Sequence, residues 1–97
     1  MEKVAKAVEI LKDSLPENAL VEPVEITSKK AIIVVVSDTF EGLEESDRQD
    51  LLWNTLKNEF GHPSAEFKEL LNHLGFILTW TPEEKRVFEE EEWGEEE

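Results

Sequence analysis

The sequence predicts an α+β fold, a two-layer sandwich in the order α-β-β-α-α-β-α. A three-stranded mixed sheet is expected to carry its helices on one face. Three observations support this. Ala31–Val36 is a six-residue apolar run dominated by Val and Ile, too short and too β-branched for a helix. Two stretches with helical spacing of Leu and Phe follow it, Leu52–Phe60 and Phe67–Leu74. A short run, Phe76–Thr81, then leads directly into Thr-Pro-Glu-Glu, a helix-start signal.

In chain order, Val4, Ala7, Val8, Leu11 and Leu15 give helical spacing from about Lys3 to Ser14, and Pro16 ends that helix. Leu20, Val21, Val24 and Ile26 mark a strand over Ala19–Thr27, and Pro23 within it predicts an edge position or a bulge. Ser28-Lys29-Lys30 is short enough to make a hairpin with Ala31–Ser37, the expected central strand. Ser46 stands three residues before Gln49, the spacing of a capping box, so a helix is expected from there to Phe60, with Gly61 as its C-terminal cap. Ser64 is the expected N-cap of a third helix reaching Leu74, with Gly75 as its cap. In the strand Phe76–Thr81, Phe76, Leu78 and Trp80 share one face, and Ile77, Thr79 and Thr81 the other. The last helix is expected from Pro82 to about Glu91 with Val87 and Phe88 turned inward. A two-layer sandwich leaves one sheet face open. Either Ile32, Val34 and Val36 or Ile33 and Val35 are then partly exposed, or covered by the C-terminal tail or a second copy.

The chain of 97 residues reads as a single domain, residues 1–88, with an acidic, disordered tail at 89–97. The net charge is −14, and seven Glu of the tail contribute half of it. That balance argues against phosphate-backbone binding, and the four glycines never fall at Gly-x-x-Gly spacing. No cysteine is present, which excludes disulfides, thiolate catalysis and cysteine-ligated metal within the chain. No apolar stretch reaches the roughly 20 residues needed to cross a bilayer, and the N-terminus lacks a signal-peptide core, so a cytoplasmic protein is expected. No phosphate loop or nucleophile elbow occurs, so no enzymatic activity is expected. Of the two histidines, His62 follows Gly61 in a turn and is expected at the surface, while His73 sits at a helix end where the dipole favours it. Trp53 and Trp80 read as core or half-buried side chains. Trp93, alone in the Glu run, reads as a docking anchor or as a side chain folded back on the body.

The segment Val34–Leu56, VVVSDTFEGLEESDRQDLLWNTL, resembles the BolA family, small proteins of KH-like α/β fold. The matching residues are Val36-Ser37, Phe40-Glu41-Gly42 and Arg48, joined by His73 eight residues before Thr81-Pro82-Glu83-Glu84. The chain departs from the family pattern in a longer helix between the motifs, in Gln49-Asp50 after Arg48, and in Lys85 after the last Glu. It also departs at Thr27-Ser28-Lys29-Lys30, a hairpin with no Cys or His. The resemblance implies a non-enzymatic partner of a monothiol glutaredoxin in iron–sulfur or redox metabolism, either monomeric or weakly dimeric. In such complexes a two-iron, two-sulfur cluster is shared, and the role of metal ligand falls here on His73. The isolated protein would hold no cofactor. The alternatives are a divergent interaction module without cluster binding and, below it, a nucleic-acid-binding regulator using the two middle helices.

Overall fold

The computed structural model describes residues 2–61 and 64–94, with side chains as far as Glu90. Its organising element is the apolar run, β2 (Ala31–Val36), which lies between β1 (Leu20–Glu25) and β3 (Leu74–Trp80). β1 and β2 form the expected antiparallel hairpin, with Val21 opposite Val35 and Pro23 opposite Ile33. β3 returns parallel to β2 after a crossover through α2 (Glu45–Phe60) and α3 (Ala65–His73). The first helix, α1 (Glu2–Ser14), meets α2, α3 and β1. The last, α4 (Pro82–Gly94), leaves the end of β3.

Alternation along the strands sorts the sheet into two faces. Val21, Ile33, Val35 and Ile77 are buried on the inner face with Val4, Ala7, Val8 and Leu11 of α1, Leu52, Leu56 and Phe60 of α2, and Phe67 and Leu70 of α3. Trp53 meets Phe67 edge-on, with ring centroids 6.3 Å apart. On the outer face Ile32 and Val34 are half-buried, while Val36 is covered beside Trp80. The open face is therefore the Ile32–Val34–Val36 side.

Both edges of the sheet are blunted against further strands. The Ile26 N–H donates across the hairpin to the Lys30 carbonyl, so the even residues of β1 face β2 and Pro23 faces outward, where its missing N–H breaks no ladder bond. On β3 two outward carbonyls are occupied by α2. Gln49 donates to the Ile77 carbonyl at 2.8 Å and Arg48 to the Thr79 carbonyl at 3.4 Å.

Four local expectations are corrected. α2 does not start with a Ser46 capping box. Glu44 is the extended residue before the helix, its carbonyl accepts from the Arg48 N–H, and Gln49 turns away to β3. Gly75 does not cap α3. Leu74 is already extended and paired with Ala31, and Gly75 has no positive φ. It marks instead an irregularity at which β3 carries one more residue than β2 between two paired positions, a bulge glycine beside the Ala31 carbonyl. Val87 and Phe88 are not buried; they stay 42% and 50% exposed, because α4 meets the body mainly near the end of β3 and at Arg48 of α2. Finally, α4 runs past Glu91 to Gly94 and takes in most of the stretch expected as a disordered tail. The i,i+4 pairs Lys85–Glu89 and Arg86–Glu90 support that continuation. His62, Pro63, residues 95–97 and the side chain of Trp93 lie outside the described residues.

The other start and stop signals act as read. Gly61 adopts φ 79° after α2 and Gly42 φ 78° before it. Ser64 caps α3 through Oγ to the Phe67 N–H. Thr81 and Glu84 form a reciprocal capping box: Thr81 Oγ1 accepts from the Glu84 N–H, and Glu84 Oε1 from the Thr81 N–H. No helix among the described residues is long and apolar enough to cross a membrane.

Candidate functional site

His73 is the last residue of α3 and is half-buried. Leu70 and Leu74 on either side of it are buried and anchor the turn, whereas Leu71 is 43% exposed. The ring reaches across to the β1–β2 hairpin, where Nδ1 lies 3.0 Å from the Lys29 carbonyl. A carbonyl can only accept, so in the neutral ring Nδ1 carries the proton and Nε2 keeps its lone pair. Histidines that ligate metals are commonly held this way, with the second nitrogen donating to a carbonyl that fixes the tautomer and ring orientation. The hairpin is itself rigidly turned: Thr27 Oγ1 accepts from the Lys29 and Lys30 N–H groups, and the Lys30 ammonium reaches the Leu71 carbonyl at 3.5 Å. Two segments 44 residues apart thus meet at one end of the sheet.

Among the described residues, no group of three or more His, Cys, Asp or Glu is placed to hold a metal ion. The hairpin segment Thr27-Ser28-Lys29-Lys30 carries hydroxyls and ammoniums but no His, Cys, Asp or Glu. The chemistry available is therefore one oriented imidazole lone pair at a surface, suited to completing a coordination sphere built mainly by another molecule.

At the other end of the sheet the remaining motif residues converge on Arg48, which is buried in the first turns of α2. Its Nε donates to the Leu43 carbonyl at 3.0 Å, and its two terminal nitrogens clasp Glu84 at 2.7 and 3.1 Å. The guanidinium also lies 5.8 Å from the centre of the Phe40 ring. The hydrogen bond to Glu84 raises the Arg48 pKa, and the bond from Arg48 holds the Glu84 carboxyl below the usual glutamate range. A groove of about 500 Å³ opens here between Glu41-Gly42 and Val87-Phe88 of α4. Four charged residues line it, Glu41, Glu83, Arg48 and Glu84, and the last two are engaged with each other. Beside them Glu45 accepts from the Thr79 hydroxyl and from Gln49, whose own oxygen accepts from the Trp53 indole. The Phe-x-Gly…Arg and Thr-Pro-x-Glu motifs, apart in sequence, are two halves of one clamp.

No family model and no curated protein matches this chain. A solved structure, BolA1 from Arabidopsis thaliana, superposes on it with a TM-score of 0.57 at 24% sequence identity, covering 84% of this chain and 94% of that one. The chain has the BolA fold. In this BolA-like chain the Arg48–Glu84 clamp fixes α4 to the sheet, and the His73–Lys29 contact fixes the hairpin to α3. The clamp was legible only as a family motif: nothing in the spacing of Arg48 and Glu84 signals that they touch. Gln49 has the spacing of a cap and Glu45 carries no motif of its own, yet both serve β3.

Proposed function

We propose that the chain is a non-enzymatic adapter that lends His73 to a two-iron, two-sulfur cluster shared with a monothiol glutaredoxin. The supporting observation is the hydrogen bond from His73 Nδ1 to the Lys29 carbonyl, which puts the proton on Nδ1 and leaves the ligating lone pair on Nε2. His73 would hold one iron, and a His in place of a thiolate raises the potential of such a cluster. The absence of cysteine fits this role, because the thiolates would come from the glutaredoxin side. A second reading, an interaction module without cluster binding, is favoured by one feature. The hairpin that faces His73, Thr27-Ser28-Lys29-Lys30, contains no second metal ligand.

One substitution with two readouts separates them. In His73→Ala the lost bond is a single half-exposed one, so thermal unfolding should show a cost of about 0.5–1.5 kcal/mol. A cluster reconstituted with a monothiol glutaredoxin should change its visible spectrum or lose lifetime. An unchanged spectrum would remove His73 from the cluster and leave the interaction module.

A further inference from the structure

The outer face of the sheet is apolar across all three strands. Strand pairing sets Leu20, Val36 and Trp80 in one row, then Glu22, Val34 and Leu78 in the next. Val24 and Ile32 follow, with Phe76 beyond the β3 bulge. Leu20, Val24 and Phe76 are exposed, Phe76 to 53%, and Ile32, Val34, Leu78 and Trp80 are half-buried. α4 covers one corner, where Phe88 stacks on Trp80 with centroids 5.2 Å apart. A contiguous apolar surface of this kind marks a site of interaction.

Its single charge selects the occupant. Glu22 stands at the edge of the middle row, on β1. Covering it strips water from a carboxylate, which is costly unless a cation arrives with the cover. The nine face positions include no Lys or Arg. A second copy laid face to face can therefore set only apolar side chains or another Glu22 against it. Residues 89–97, EEEEWGEEE, bring no cation either, and an anionic lipid surface would meet a chain of charge −14. Addition of a strand is disfavoured, since Pro23 interrupts one edge and Gln49 and Arg48 occupy two carbonyls of the other. We infer that the outer sheet face docks an amphipathic helix of a partner protein, with apolar side chains along one side and a Lys or Arg among them that pairs with Glu22. This surface is independent of the His73 reading.

The test uses two fluorescein-labelled amphipathic helical peptides with Leu along one face. One carries a single Lys within that face, and its twin carries Glu there. Anisotropy titrations at about 0.5 M NaCl screen the long-range charge. The wild-type chain should prefer the Lys peptide by about tenfold, roughly the effect of one desolvated ion pair. Glu22→Lys should reverse that preference, and Phe76→Ser should weaken both peptides. The proposal is overturned if neither peptide binds, if Glu22→Lys leaves the preference unchanged, or if Phe76→Ser binds like wild type. It is also overturned if sedimentation shows a wild-type dimer that Phe76→Ser dissociates, which would give the face to a second copy.

Discussion

Arg48 shows how much of this molecule rests on one side chain. It holds the loop before α2 through Leu43, the edge of β3 through Thr79, and α4 through Glu84. Arg48→Met keeps the aliphatic bulk and removes every donor, leaving two carbonyls and a carboxylate without it. The expected loss is about 2–3 kcal/mol by denaturant unfolding. Glu84→Gln tests the charge alone. Glu84 is half-exposed, so its pairing contributes only about 1 kcal/mol after solvent screening. Because its folded pKa lies below the ordinary range, that contribution is complete above the ordinary glutamate pKa and is lost as the pH falls through the folded value. The wild-type chain should therefore lose its advantage over Glu84→Gln on acidification, and an advantage that grew with acid would contradict the assignment. Glu66, held low by Lys6 and Lys3, titrates in the same sense in both proteins and cancels from the comparison. At this scale the sequence is least legible. Spacing marks Arg48 as helical and Glu84 as a cap, but a contact across 36 residues leaves no periodic trace.

The elements were far more legible, because their signals are local. The apolar run, the Leu and Phe periodicities, Ser64 and the Thr81-Pro82-Glu83-Glu84 start all describe segments that form as read. The failures lie where tertiary contacts compete with a local motif. The Gln49 oxygen could have accepted from a backbone N–H at the start of its helix. It accepts instead from Trp53, while the amide N–H groups donate to the Ile77 carbonyl and to Glu45. Gly75 had the spacing of a cap, yet pairing of Leu74 with Ala31 drew the chain into the sheet first. These outcomes rank three alanine substitutions. Ser64→Ala and Thr81→Ala should each cost about 1 kcal/mol, as lost N-caps do. Ser46→Ala, whose hydroxyl caps nothing, should stay within about 0.5 kcal/mol. Thermal unfolding of the three proteins measures the ranking, and an equal loss in Ser46→Ala would restore the capping box.

For the whole molecule, charge opposes compactness. A net −14 on 97 residues repels itself, and the ion pairs that offset it, such as Lys6–Glu66 at 3.0 Å, are exposed and individually weak. Raising salt from about 0.01 M to about 0.15 M shortens the Debye length from roughly 30 to 8 Å, relieving the repulsion more than it weakens the pairs. The melting temperature should rise by about 4 °C, the equivalent of roughly 1 kcal/mol at this size; a fall would mean that the pairs outweigh the repulsion. Blunting of the sheet edges has a consequence of another kind, for the chain in a crowd of its own copies. A sheet this small, with an apolar face and a β-branched central strand, has the composition of a fibril seed. Growth by strand addition needs free N–H and C=O groups on an outer edge, and here Pro23 offers no donor while Gln49 and Arg48 hold two of the acceptors. These three side chains act as gatekeepers against polymerisation. The pair Pro23→Thr with Gln49→Ala should remain folded at low concentration and, at high concentration, form thioflavin-positive aggregates that the wild-type chain does not, whereas equal lag times for the two would show that the strong negative charge alone keeps the chains apart.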